Sequence, residues 1–294
     1  MNEQHIAHLI LNPAAGRGRS AVHQKDIETY LKGRGIEAVW HVTEESGHAG
    51  QIASGLPNEA LVVAVGGDGT VHEVAAACME TRRTMGVLPA GSGNDYVKAL
   101  GIGTGLERAL EVLVEGKVRM VDMGEVNGIL FNNGLGIGFD AEVAGGVKEA
   151  PKILGGVGGY LWSVGRLLWG FECHEARLKF SDGEEIAAET ILVAVALGTT
   201  YGARFRLAPR SSLEDGVFDV VWSEEVTREE VIRLIPSVLR GSHLGHPKIH
   251  FAHTAAIEVE LKEATPAHVD GEMLSPTRDF RARVLPRTLR VLAP

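Results

Sequence analysis

Two short stretches of this chain pair glycine with carboxylates in patterns that suit chemistry on phosphate. The first, Gly66-Gly67-Asp68-Gly69-Thr70, follows the apolar run 61–65 and precedes Val71, Val74, Ala75 and Cys78 at helical spacing. Residues without Cβ atoms let backbone N–H groups approach phosphate oxygens, and a following helix favours an anion at its start. Asp68, an acid inside an anion site, makes most sense with Mg²⁺ between it and the phosphates. A tight turn between strand and helix also uses Gly and Asp, but four loop formers plus Thr70 exceed what a turn requires. The second stretch is Asp270-Gly271-Glu272, after the strand-like run 267–269. A carboxylate there could accept the proton of a hydroxyl as its oxygen attacks a phosphoryl group. Taken alone, a surface Asp-Gly-Glu turn is the simpler reading.

Two more glycine loops keep company with the first. Pro89-Ala90-Gly91-Ser92-Gly93-Asn94-Asp95 follows the apolar run 86–88, and Asn12-Pro13-Ala14-Ala15-Gly16-Arg17-Gly18-Arg19-Ser20 follows 6–11. Three such loops at the carboxyl ends of parallel strands converge on the crevice where open α/β sheets bind ligands. Asn94 and Asp95 have an ordinary alternative as helix N-caps. The commoner nucleotide motifs are absent: Gly116-Lys117 is followed by Val118, so there is no Walker A loop. Gly134-Leu135-Gly136-Ile137-Gly138 resembles a dinucleotide fingerprint only superficially, lacking its final spacing. Of the 12 histidines no pair has metal-ligand spacing backed by a third ligand, which leaves a zinc enzyme unsupported.

The elements that must position these loops read as two domains. At 294 residues the chain is long enough for two cores, and its 37 glycines point to tight loops. Residues 1–125 alternate strand-like runs at 6–11, 37–42, 60–65 and 86–88 with helical segments, the pattern of βα units on a parallel sheet. Thr104 with Glu107, and Thr227 with Glu230, predict capping boxes, and Pro236 predicts a kink or 3₁₀ geometry in the second of those helices. From about Val118 strand-like runs dominate, at 129–133, 176–180, 191–197, 217–222, 249–253, 257–261 and 280–285. They make 126–285 a mostly β domain with a helical insertion at about 141–169.

The net charge of −9 argues against a nucleic-acid partner. Two cysteines, Cys78 and Cys173, give neither a disulfide scaffold nor a zinc site and suit a reducing, cytoplasmic setting. With no signal-peptide pattern and no run of about 18 apolar residues, any membrane contact is expected from the surface. The apolar insertion, with Tyr160, Leu161, Trp162, Leu167, Leu168 and Trp169, could hold lipid or meet an interface, although such a stripe is more often core. Arg17, Arg19 and Arg166 could meet anionic headgroups or ATP phosphate, with solvated surface as the default.

Taken in order, the three glycine loops resemble the diacylglycerol kinase catalytic family, in its soluble bacterial lipid kinase branch. Asn132-Asn133-Gly134 to Asp140, Ala208-Pro209 with Asp215-Gly216, and Val269-Asp270-Gly271-Glu272 are similar to the later blocks of that family, so the resemblance spans nearly the whole chain. It implies an α/β nucleotide-binding domain of the NAD kinase/diacylglycerol kinase type, a C-terminal β-sandwich, a site in the cleft between them, and a terminal segment, 286–294, returning to the first domain. By this resemblance Asn12, Thr43, Gly66, Gly67, Asp68, Gly69, Thr70, Val71, His72, Ser92, Asn94 and Asp95 line the ATP site. Asp68 belongs to a Mg²⁺ and water network, and Glu272 is the general base. The structural metal loop of the family would use Asp215 with backbone carbonyls of Ser212 and Val217, where a plain turn is the alternative. Thr199-Thr200-Tyr201-Gly202-Ala203-Arg204 departs from a glycine-richer stretch of the family on the acceptor side. The implied partners are ATP, a lipid, first of all diacylglycerol, and the inner face of a membrane, with a homodimer left open. A sphingoid or other lipid kinase, a NAD kinase and an ATP-binding regulator without transfer are the competing readings.

Overall fold

The run Leu61-Val62-Val63-Ala64-Val65 is buried along almost its whole length, which suits the interior of a parallel sheet covered on both faces. The computed structural model describes residues 5–17, 23–170, 172–202 and 204–294, leaving aside the side chains of His5, Arg17, Lys148 and Lys152. The chain divides into two compact units, Met1–Asp122 with Arg287–Pro294, and Met123–Pro286.

In the first unit, β1 (His5–Leu11), β2 (Ile36–Val42), β3 (Leu61–Gly66) and β4 (Thr84–Pro89) form a parallel sheet in the order β2-β1-β3-β4. Helices α1 (Gln24–Lys32), α2 (His48–Gly55), α3 (Asp68–Thr81), α4 (Asp95–Ala99) and α5 (Leu106–Glu115) connect or follow them. Because β1, β3 and β4 are consecutive neighbours, the loops that leave their carboxyl ends lie side by side. The chain then enters β5 (Lys117–Val126) and comes back at the end of β14 (Glu272–Ala293), where Arg290 and Val291 pair in parallel with Thr84 and Met85.

Helix α3, which carries Asp68 at its start, is tied to α2 at both ends. The Glu73 carboxylate accepts the N–H groups of Gly47 (2.8 Å), Ala49 (3.0 Å) and Gly50 (3.4 Å), capping α2 where a negative charge is favourable. Just beyond α3, buried Arg83 donates to the carbonyls of Pro57 (2.8 Å), Ala53 (3.1 Å) and Leu56, covering the other end of α2.

The second unit is antiparallel. Its sheet runs β12 (Ile249–Thr254), β11 (Phe218–Ser223), β10 (Leu192–Ala196), β7 (Gly134–Gly138), β13 (Ala256–Val269), β14. β8 (His174–Phe180) pairs with β13 and with β9 (Glu185–Thr190), and β6 (Ile129–Phe131) pairs with β5. The helical insertion holds α6 (Phe139–Gly146) and α7 (Gly155–Leu167), and α8 (Arg228–Arg240) covers β10 and β11.

The glycine run 134–138, only superficially like a dinucleotide fingerprint, is strand β7. Thr227 and Glu230 form the expected capping box, but α5 starts one residue later than the Thr104 box requires. Gly105 is its N-cap, and Ala109 N–H donates to Gly105 O (3.1 Å), so Glu107 falls at the second helical position and cannot close a box. Pro236 lies inside α8, which stays α-helical through it with no 3₁₀ segment.

Candidate active site

In the first unit the three glycine loops are joined by direct bonds. The Asn12 side-chain N–H donates to Thr70 Oγ1 (3.2 Å), and Ala14 N–H donates to Asn12 Oδ1 (3.0 Å), tying the loop after β1 to the start of α3. Thr43 is buried beside them, its N–H on Leu11 O (2.9 Å). The loops after β3 and β4 meet backbone to backbone, with Ala90 N–H donating to Gly66 O (2.8 Å). A Cβ built on Gly91 would lie 2.5 Å from the Gly67 Cα, and one on Gly67 would lie 3.2 Å from the Gly91 Cα. Both residues are therefore glycine because two main chains touch there. Gly91→Ala is expected to push the loops apart and destabilise the first unit by roughly 1–3 kcal/mol. Urea unfolding checks it, and wild-type stability in the variant would contradict the contact.

Asp68 is the clasp between the same two loops. Its Oδ2 accepts Asn94 N–H (2.7 Å), and its Oδ1 accepts the N–H of Asp95 (2.7 Å) and of Tyr96 (3.4 Å). Gly93 leaves the room for this, since a Cβ there would lie 2.6 Å from Asp68 Oδ2. Burial, and then the neighbouring Asp95 carboxylate, push the Asp68 carboxyl up to about 6 against the pull of the three N–H groups. Asp95 is itself buried and paired with Lys98 Nζ at 2.8 Å. Asn94, in the left-handed region at φ 53°, closes its loop by exchanging bonds with the main chain of Gly91 at 2.9 and 3.0 Å. Val71 and Thr70 are buried in the first turn of α3, Gly69 and His72 flank them half-buried, and Ser92 is exposed at the loop tip. The Arg17 side chain and Gly18, Arg19 and Ser20 lie outside the described residues.

Glu272 stands in the second unit, exposed at the start of β14. The two acids flanking Gly271 have different situations. Asp270 adopts φ 50°, and its carboxylate accepts the N–H groups of Asn132 (2.9 Å), Asn133 (2.9 Å) and Gly134 (2.8 Å). Asp270 anchors the turn and Glu272 projects from it. The anchoring role of Asp270 has no signal in the local sequence beyond its place in the motif.

Asp215 is exposed in the loop before β11, with Oδ1 accepting Val217 N–H (3.3 Å), and Glu214 N–H donates to Ser212 Oγ (3.3 Å). Among the described residues no group of three His, Cys, Asp or Glu side chains could hold a metal ion. An ion at Ser212, Asp215 and Val217 would rest on one carboxylate and carbonyl oxygens.

The second unit also holds a partly open apolar cavity of about 120 Å³, lined by residues including Phe139, Val143, Tyr160, Phe205, Trp222 and Ile235. Ser223 Oγ and His243 Nδ1 belong to lining residues and are buried without a hydrogen-bond partner among the described residues. Of the aromatic insertion, Tyr160 faces this cavity and packs on Phe205 at 5.7 Å, whereas Trp169 is 77% exposed. Arg166 is engaged by Glu149 and by the Trp162 ring. No helix among the described residues is long and apolar enough to cross a membrane.

Residues 6–126 match the diacylglycerol kinase catalytic domain, and residues 134–293 match the YegS C-terminal NAD kinase beta sandwich-like domain. Over 271 residues the chain is 32% identical to a diacylglycerol kinase of Bacillus subtilis, covering 90% of this chain and 89% of the relative. It is 30% identical over 286 residues to a YegS-like lipid kinase of Chromohalobacter salexigens, covering 96% and 88%. A crystal structure of a diacylglycerol kinase from Bacillus anthracis superposes with a TM-score of 0.77 at 22% identity, covering 100% of this chain and 98% of that one, a likeness of fold.

Proposed function

The chain belongs to the diacylglycerol kinase family of lipid kinases, and we propose that it transfers the γ-phosphoryl group of Mg-ATP to a lipid hydroxyl, with diacylglycerol giving phosphatidate. The observation that carries this reading is the joining of three glycine loops through Asn12–Thr70, Gly67–Gly91 and Asp68 at one end of a parallel sheet. Main-chain N–H groups and the start of α3 give such a surface its affinity for phosphate.

In the proposed reaction the acceptor hydroxyl oxygen forms a bond to the γ-phosphorus, the bond from that phosphorus to the β–γ bridging oxygen breaks, and ADP leaves. The hydroxyl proton passes to the Glu272 carboxylate, held in position by the Asp270 anchor. Mg²⁺, when bound with ATP, neutralises charge on the phosphates. The bonding of Asp68 fits a hydrated ion better than a directly bound one, because three N–H groups already use three of about four lone-pair sites on the carboxylate. Asp215, with the carbonyls of Ser212 and Val217, is our candidate for a separate structural ion. Asp68→Ala is expected to change the Mg²⁺ dependence of turnover, and an unchanged Mg²⁺ titration would remove Asp68 from that network.

The apolar cavity has room for a short stretch of hydrocarbon, since apolar cavities of roughly 150 Å³ stay dry and admit small apolar guests. The site and the acceptor are tested together by offering γ-labelled ATP with diacylglycerol, monoacylglycerol or a sphingoid base in mixed micelles. Label in phosphatidate supports the reading as stated. Label only in a phosphorylated sphingoid base, or in NADP when NAD is added, moves the protein to one of the competing activities.

A further inference from the structure

Strand β7 has glycine at every second position, and at Gly136 the reason is a buried pair of side chains. A Cβ there would fall onto the Asp140 carboxylate and lie 2.5 Å from His268 Nε2. The space it vacates holds the contact between those two groups, His268 Nε2 to Asp140 Oδ2 at 3.2 Å. Both residues are buried, His268 at 3% exposure and Asp140 at 9%, and the edge of the Tyr201 ring closes another side of the imidazole at 6.4 Å. The second ring nitrogen, Nδ1, accepts the N–H of Gly271 at 3.1 Å. A nitrogen that accepts carries no proton, so the ring proton sits on Nε2 and is donated to Asp140.

Gly271 is the residue between Asp270 and Glu272, with φ 87°. The turn is thus gripped from two directions, by the Asp270 carboxylate on the β6–β7 main chain and by His268 on the Gly271 amide. Asp140 lies in the first turn of α6 and lines the apolar cavity, so Asp140, His268 and Gly271 join the cavity wall to the turn.

We propose that His268 is a positioning residue for the transfer reaction: Asp140 fixes its proton on Nε2, and its Nδ1 holds the Gly271 amide and with it the Glu272 carboxylate. This rests on the reading of Glu272 as general base. Displacing a reacting group by about 1 Å can cost on the order of 10²-fold in rate, so the effect belongs in kcat.

Two substitutions separate the ring's two bonds. Glutamine places its terminal amide near Nε2 and keeps the contact with Asp140 but leaves the Gly271 N–H unmet. Asparagine places its amide oxygen near Nδ1 and keeps the bond to Gly271. His268→Gln is expected to lower kcat by roughly ten- to a hundredfold with both KM values within about twofold, and His268→Asn to recover several-fold of that loss. Amide exchange at Gly271, read by NMR, should be faster in His268→Gln than in His268→Asn or the wild type, and the wild-type ring should show the Nε2–H tautomer. Wild-type kcat in a folded His268→Gln, an equal loss in both variants, or a loss confined to KM would overturn the proposal. If the wild type phosphorylates no lipid, the functional reading fails, and the tautomer with Gly271 exchange still decides whether His268 holds the turn.

Discussion

Glu272→Gln is expected to lower lipid-phosphorylating turnover by about 10²-fold or more, the usual scale for losing a general base. Affinity for ATP should stay within a few-fold of wild type, because the glycine loops and Asp68 belong to the first unit and Glu272 to the second. The substitution is nearly isosteric at an exposed position, so the fold should tolerate it. Steady-state kinetics with nucleotide titration checks both parts. Turnover within a few-fold of wild type would remove Glu272 from the chemistry.

Asp270→Ala should act on the same turn through structure. It removes an acceptor shared by three main-chain N–H groups at 2.8–2.9 Å and puts a Cβ-bearing residue without local hydrogen-bonding ability at φ 50°. Bonds to a charged acceptor contribute roughly 1.5–3 kcal/mol each and do not simply add, so a loss of about 3 kcal/mol or more is expected in urea unfolding. Turnover should fall with it even at temperatures where the variant is folded, because Glu272 loses its anchor. Asp270→Asn should be intermediate, since one oxygen can still accept from two N–H groups while the amide meets the third. A variant with wild-type stability and turnover would show that Asp270 holds nothing.

The first unit was the more legible in the sequence. β3 is a continuous apolar run, and β1, β3 and β4 lead into glycine loops, because the middle of a parallel sheet is buried on both faces and its ligand loops need close main-chain approach. The second unit hid two of its central strands. β7 is built on Gly134, Gly136 and Gly138, residues that weaken a strand by themselves and are required by tertiary neighbours, Tyr201 at Gly134 and the Asp140–His268 pair at Gly136. The run expected at 280–285 is one part of β14, which extends over Glu272–Ala293. Its earlier residues are mostly polar and include Pro276, so they carry little strand signal.

For the site, the motifs located the groups, and the family resemblance implied duties for Glu272 and Asp68 but none for Asp270. Asp270 and Glu272 look equivalent by residue type, and the three N–H groups around Asp270 mark it as the anchored one of the two. Asp68, which the resemblance puts in a Mg²⁺ and water network, also has both oxygens bonded to the main chain of the neighbouring loop. Gly93 and Gly91, which read as generic phosphate-loop glycines, are there for the Asp68 carboxylate and the Gly67 main chain.

The most direct test of phosphoryl transfer to lipid is ADP release by the purified protein with Mg-ATP, with and without diacylglycerol in mixed micelles. ADP release is expected to rise with diacylglycerol and to match the phosphatidate formed mole for mole. Measurable ATP binding with no lipid-stimulated ADP above background would contradict it and leave a nucleotide-binding regulator.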